Sequence, residues 1–407
     1  MDIRVPAAAP SARPAVFALL FFPFGASGGF LGVTLVYFLH RAGVSTAAIS
    51  GLIGLAILPN VIKVFWAPLI DITLTPKAWY VIGVLVVGAG IAALGVIPMG
   101  PATLGYLGVV VFLLNVAATF TSISAEALMA HGIADHRRGK AGGWSQVGNL
   151  GGGSLGGGAG LWLAVHVSPW VAGTALAVAI FACAGALFAV PAAKLDHRRD
   201  SYAKTLRNVL QDVWAIAWSR PGLLALLVFL LPLGTGVAAN YFSAIADEWK
   251  ASANLIALVS GLAASGASAV GAIAGGYLCD RLDRKAAYVL LSLVSAAVAV
   301  GMAVAPRTAA MYAVFALAYA AATSLAFAAY AALTLETIGA GAAATKFNLM
   351  ASVANAPLLY VNAIEGPVQT RFGTTAMLLT EAALGAAAAV VFAVVVVATR
   401  RRAATAS

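Results

Sequence analysis

Apolar residues in this chain come in long blocks, without the alternation of a half-buried strand. The blocks run roughly over residues 15–39, 45–70, 78–97, 102–130, 141–166, 169–190, 222–245, 254–278, 286–305, 308–337, 345–368 and 374–399, and the short stretches between them hold nearly all of the charge. Each block is about as long as the ~20 residues an α-helix needs to cross a hydrocarbon layer. The strands of a membrane barrel would alternate apolar and polar side chains, and these blocks do not. The pattern predicts an all-α membrane protein with twelve transmembrane helices. Composition agrees: 62% of the 407 residues are hydrophobic and 9% charged. A soluble domain has about a quarter charged, so lipid must be the solvent for much of this surface.

The formal net charge of +10 would by itself suit a nucleic-acid binder, but its placement argues against one. Arg4, Arg13, Lys77, Arg137, Arg138, Lys140, Lys194, Arg198, Arg199, Lys204, Arg207, Arg220, Arg281, Arg284, Lys285, Lys346 and Arg400 to Arg402 fall in alternate loops or at the ends. The other loops hold Arg41, Lys250, Arg307 and Arg371. Basic loops stay on the cytoplasmic side of a membrane, which puts both ends of a multi-pass protein in the cytoplasm, in a bacterial inner membrane. The first block reads as a retained span and not as a cleaved leader. The expected divisions are a tail at 1–14, a six-helix bundle at 15–190, a basic amphipathic linker at 191–221 against lipid phosphates, a second bundle at 222–399 and a tail at 400–407. Ala117-Ala118-Thr119 recurs as Ala321-Ala322-Thr323, and Lys140 and Asn149 are echoed by Lys346 and Asn355. Such weak internal symmetry is expected of two pseudo-symmetric bundles in a transporter.

A few positions inside the blocks stand out. Gly148, Gly152, Gly156 and Gly160 share one helix face, where small residues permit close helix contact. No strand precedes them and no lysine follows at the spacing of a phosphate-binding loop. Lys63 lies two turns, roughly 12 Å, from Asp71, and Glu126 stands at a similar depth in the fourth span. Intramembrane charges are costly and point to function by default. Both are therefore candidates for substrate or proton coupling, and an ion pair between them would relieve the cost of each. Glu365 is the next candidate proton carrier. Asn149, Asn240, Tyr241, Tyr330, Asn355 and Asn362 could line a central polar cavity or bond helix to helix. Cys183 and Cys279 read as buried apolar side chains. The five histidines sit at span ends or in loops without ligand spacing, so neither a metal nor another cofactor is expected. An enzyme would need a converging nucleophile, base or ligand set, which the spacing does not offer.

The stretch Gly276-Tyr277-Leu278-Cys279-Asp280-Arg281-Leu282-Asp283-Arg284-Lys285 resembles the loop signature of the major facilitator superfamily, GxxxDRxGRR/K. A weaker copy ends in Asp71, with Ala67 in place of the glycine. The resemblance implies the two-bundle major facilitator fold. It also implies a gating role for Asp71, Gly276, Asp280, Arg281, Arg284 and Lys285, which would hold the two halves together on the cytoplasmic side in one state. The segment Lys63-Val64-Phe65-Trp66-Ala67-Pro68-Leu69-Ile70-Asp71 resembles K-F-x-W-A-P-x-x-D of the branch containing AmpG-type muropeptide permeases, acetyl-CoA transporters and siderophore permeases. Ala344-Thr345-Lys346-Phe347-Asn348-Leu349 is similar to that branch's A-T-Q-x-A-L motif. Where AmpG relatives have two aspartates in the fourth span, this chain has Ser122 and Ala125, with Glu126 beside the second.

Taken together, these features lead to a secondary active transporter. It would move a small amphiphilic solute of the muropeptide, siderophore or related metabolite kind by alternating access. The chain has no nucleotide-binding loop, so a gradient of ions or solute would supply the energy, with protons as the expected coupling ion. Membrane lipids are the other expected partner, and a monomer is the expected state. The alternative of a proton-driven drug or metabolite exporter differs in direction and solute, and a non-transporting receptor would lack a polar cavity open to one side.

Overall fold

The computed structural model describes residues 12–133, 137–191, 229–279, 281–338 and 352–404, with 204, 207, 211 and 214 as single positions. Among these the regular structure is helical throughout. Nine helical stretches are long and apolar enough to cross a membrane. The helices are α1 (Val16–Arg41), α2 (Thr46–Phe65), α3 (Pro76–Val96), α4 (Leu104–Gly132), α5 (138–166), α6 (Pro169–Ala189), α7 (237–249), α8 (Ala253–Cys279), α9 (Arg284–Val304), α10 (Ala309–Ile338), α11 (356–372) and α12 (374–404). The last two form one apolar stretch broken at Gly373, whose φ of 83° is easily reached only without a Cβ. The starts follow local chemistry. Ser45, Thr75, Ser168, Ser252 and Asp283 each accept a backbone N–H of the first turn, and Pro76 and Pro169 take the first helical position, where no N–H is needed.

Several helices are less regular than the apolar blocks suggest. In α2, Pro59 is absorbed and the helix breaks later, at a 3₁₀ turn over Lys63–Phe65, before resuming at Ala67–Ile72. Trp66 at the break donates to Thr119 Oγ1 of α4 at 3.0 Å, and Phe120 stacks between Trp66 and Trp79. Wide π turns interrupt α1 at Phe30–Leu35, α5 at Leu155–Ala159 and α8 at Ala257–Ala263. Such turns displace the ladder by one residue and often sit at functional contacts. Lys77 at the start of α3 donates to the carbonyls of Leu187 (2.9 Å) and Val190 (2.5 Å), closing the end of α6 as a basic side chain does at a helix C-terminus.

The buried residues gather into one core built from positions 12–190 with Ala244, and two further cores built mainly from positions after 228. Within the first, α1 and α5 lie backbone to backbone. A Cβ added to Gly148, Gly152 or Gly156 would overlap the main chain of Ala18, Phe22 or Ala26, as the four-residue glycine spacing predicts. Cys183 and Cys279 are both buried. The described linker positions Lys204, Arg207, Gln211 and Trp214 are helical and exposed. The rest of the linker, the tail at 1–11, and Asp280, Lys346 and Asn348 lie outside the described residues.

Candidate functional site

The most polar place in the apolar interior is built around the irregular stretch that leads into α7. The sequence Pro232-Leu233-Gly234-Thr235-Gly236 cannot continue a helix: Gly234 and Gly236 adopt φ of 61° and 72°, and the chain restarts as a 3₁₀ helix at Val237. The restart leaves first-turn N–H groups without helical acceptors. Glu381 of α12 fills that gap. Its Oε2 accepts the Ala238 N–H at 2.8 Å, and its Oε1 accepts the Tyr319 hydroxyl of α10 and, at 3.4 Å, the Thr235 hydroxyl. Glu381 is 7% exposed and Tyr319 1%, so a buried carboxyl is held by three donors, from α7, from α10 and from the stretch before α7.

Glu365 of α11 lies within electrostatic reach of Glu381. It is 0% exposed, and neither of its oxygens meets an N–H or O–H donor among the described residues. Two carboxyls can hydrogen-bond to each other only through a proton carried by one of them, and a bare carboxylate without donors in such surroundings is prohibitively costly. No solute atom fits, because Glu365 has no exposed surface. Among the described residues no group of three or more His, Cys, Asp or Glu side chains could hold a metal ion.

One turn before Glu365, Asn362 joins the carboxyl pair to the other half of the molecule. The Tyr241 hydroxyl of α7 donates to Asn362 Oδ1 (2.6 Å) and to its carbonyl (3.0 Å). Asn362 Nδ2 donates to the Ser50 carbonyl of α2 at 2.8 Å, and the Ser50 hydroxyl donates back to the Asn362 carbonyl at 2.6 Å. Other bonds between the halves lie at the same end. They are the Ala47 N–H to Thr370 Oγ1 at 2.8 Å, the Ser243 hydroxyl to the Gly32 carbonyl at 3.5 Å and the ion pair Arg41–Asp247 at 3.6 Å. Gly158 and Gly261 touch backbone to backbone, and deeper in, the Ser265 hydroxyl donates to the Leu150 carbonyl at 3.0 Å. The halves are thus closed against each other at the face holding the α1–α2 and α7–α8 turns, called here the far face.

The remaining sequence candidates divide. Lys63 and Glu126 are both partly exposed, and no ion pair joins them. Among the described residues the ion pair is Arg41–Asp247. The break in α2 at Lys63 turns the lysine out of regular helix register, which removes the geometry the sequence spacing implied. Tyr241 and Asn362 are buried, 0% and 1% exposed, and seal helices together instead of lining an open cavity. Tyr330 belongs to an aromatic cluster with Phe229 and Tyr288. Asn149 lies where α5 presses on Gly25 of α1, and Asn240 and Asn355 are partly buried. Of the loop signature, Arg281, Arg284 and Lys285 are exposed, Arg281 stacking on Tyr277 with its guanidinium 4.1 Å from the ring centre. Gly276 has open space beside it. Asp71 lies in the short helix Ala67–Ile72, and Asp280 is outside the described residues.

Sequence reading missed Glu381, Tyr319 and Ser50. Glu365 and Glu381 stand eight residues on either side of Gly373. Antiparallel helices joined there bring them level, roughly 12 Å below the turn.

Comparison with known proteins gives the fold its relatives. The family model described as Major Facilitator Superfamily matches residues 17–356. No curated protein matches the chain in sequence. Among solved structures, the nucleoside transporter NupG superposes with a TM-score of 0.72 at 12% identity, covering 94% of this chain and 98% of NupG. A D-xylose-proton symporter gives 0.70 at 14% identity, over 93% and 95%. The xylose transporter XylE from E. coli, in a partially occluded inward open conformation, gives 0.68 at 13% identity, over 93% and 94%.

Proposed function

The chain belongs to the major facilitator superfamily of transporters, and from that premise we propose that it moves a small solute across the membrane by alternating access, driven by protons held at Glu365 and Glu381. The observation that carries the proton reading is the buried pair itself: two neighbouring carboxyls, one with three donors and the other with none. Alternating access is supported by the bonds between halves that gather at the far face. In this reading the far face is the outer one, both ends of the chain are cytoplasmic, and the structure is the inward-open state. The halves correspond to 15–190 and 222–399, joined by the linker at 191–221.

The solute class rests on the stretch Lys63–Asp71 and its resemblance to muropeptide and siderophore permeases. Lys63, Trp66 and Glu126, on α2 and α4, are the residues assigned to meet it. NupG and the xylose symporter are named for hydroxyl-rich solutes, which form the comparison class. A thermal-shift panel on the purified protein should therefore hold peptidoglycan fragments, siderophores, acyl-CoA compounds, nucleosides and sugars. A ligand of the folded state raises the melting temperature by mass action, and a hit is then tested for uptake into proteoliposomes under an imposed pH gradient. Uptake that ignores the gradient sinks the proton reading. For the loop signature, Asp280 and Arg281 with Asp71 are assigned to brace the cytoplasmic face when it closes. Asp280→Asn should lower uptake per folded molecule, and unchanged uptake rejects that assignment.

A further inference from the structure

A concave groove opens at the far face where the end of α1, the turn after α3 and the start of α6 come together. It encloses about 580 Å³, and small-molecule sites run from about 300 to 1,000 Å³. The buried Gly95 lies at its base and lets α3 close on α6: a Cβ there would stand 2.7 Å from the Pro169 carbonyl. Val96, Ile97, Met99 and Trp170 give the groove an apolar lining. Among the described lining residues Arg41 alone is charged, and all of them belong to the first half. We propose that this groove holds one phospholipid of the leaflet at the far face, with its phosphate on Arg41 and an acyl chain along Val96, Ile97 and Trp170. The proposal stands apart from the proton reading and does not depend on which side of the membrane the far face meets.

The lining suits a molecule with a long apolar body and one negative end. Val96 is 69% exposed and Trp170 58%, a cost against water and a gain against hydrocarbon. Tryptophan settles where lipid chains meet headgroups, so Trp170 sets the groove at the membrane boundary and Arg41 at the level of the phosphates. A lipid against a flat helix face meets apolar side chains only. Here a guanidinium adds a planar fork of N–H donors that matches a phosphate, and α6 begins at Pro169 with its positive end toward the same place. The partner Arg41 already has is a loose one. Asp247 of the second half stands 3.6 Å away, and the two side chains are 59% and 51% exposed, a setting in which an ion pair contributes little. A phosphate in the groove offers the same guanidinium a second acceptor and brings apolar burial with it. A transported solute fits less well, since its site must open to both sides in turn, whereas this groove is built from one half. Asp247 competes with the phosphate for Arg41, which gives the test its sign.

The test is photocrosslinking of the full-length protein in phosphatidylcholine nanodiscs. The probe is phosphatidylglycerol with a diazirine in one acyl chain, added at rising mole fraction, and adducts are mapped by peptide mass spectrometry. Diacylglycerol with the same chains and no phosphate is the matched probe. The expected result is labelling at Val96–Met99 and Trp170 that saturates with phosphatidylglycerol and needs about tenfold more diacylglycerol, the size of one charge-assisted hydrogen bond. Arg41→Gln should raise the half-saturating fraction of phosphatidylglycerol to match. Asp247→Asn breaks the same ion pair but keeps the guanidinium, so it should bind the probe as tightly as the parent or more tightly. Ala42→Trp, at an exposed lining position, should fill the groove and abolish the saturable labelling. Labelling that rises in proportion to the probe without saturating shows ordinary surface lipid and overturns the proposal. Equal labelling by the two probes overturns it as well, and so does an Asp247→Asn protein that loses the lipid as fully as Arg41→Gln. Melting temperatures in the same discs show which variants are folded, and if Arg41→Gln is not, the ratio of the two probes in the parent decides.

Discussion

Glu126 and Glu365 look alike in the sequence: each is a carboxyl set in an apolar helix, and each is a natural candidate for carrying a proton. Their surroundings differ. Glu126 is partly exposed on α4, across from a broken α2. Glu365 has no exposed surface and no hydrogen-bond donor among the described residues, while the nearby Glu381 carboxyl accepts from Ala238 and Tyr319. A carboxylate with water beside it can stay ionised through a transport cycle, whereas a sealed one must be neutral or force the structure to move. On this contrast we propose two jobs for them, the first meeting solute and the second taking up a proton.

The sharpest way to break this contrast is to neutralise each acid in turn. Glu365→Gln should lower uphill accumulation by about tenfold or more and flatten its pH profile in proteoliposomes, as expected for loss of an intramembrane proton carrier. Tyr319→Phe removes the donor that keeps Glu381 satisfied. It should lower stability by about 1.5–3 kcal/mol, the worth of a buried hydrogen bond to a charged group, read as a lower melting temperature. Glu126→Gln should weaken solute binding in the thermal-shift assay while leaving the pH profile of uptake in place. The smallest effect is expected for Lys63→Met. With no ion pair to Glu126 to lose, its melting temperature should match the parent within the ~0.5 kcal/mol typical of neutral surface changes. A large drop would show that the lysine is paired after all.

Much of the architecture could be read before any coordinates. Most apolar blocks placed the helices within a few residues, though among the described residues α7 and α11 begin more than ten residues later than their blocks, and the glycines of α5 marked a face for close helix contact. The local irregularities could not be read that way. Nothing in a run of apolar residues tells a π turn from an α turn, because both satisfy the same backbone groups with nearly the same dihedrals. The proton site was half legible. Glu365 was visible as a lone acid, but its meaning depends on Glu381 being level with it and on the Gly234–Gly236 break turning the Ala238 N–H toward that acid. Both are facts of three-dimensional packing. The turn at Gly373 held the clue, since counting equal distances on either side of it pairs the two glutamates.

The central claim is that Glu365 is the residue that takes up and gives off the proton. Infrared titration of the purified protein in lipid measures this without any solute, through the C=O stretch that only a protonated carboxyl shows. The account predicts a titrating band that Glu365→Gln removes and Glu126→Gln leaves. A band that survives Glu365→Gln, or one lost in Glu126→Gln instead, would contradict it.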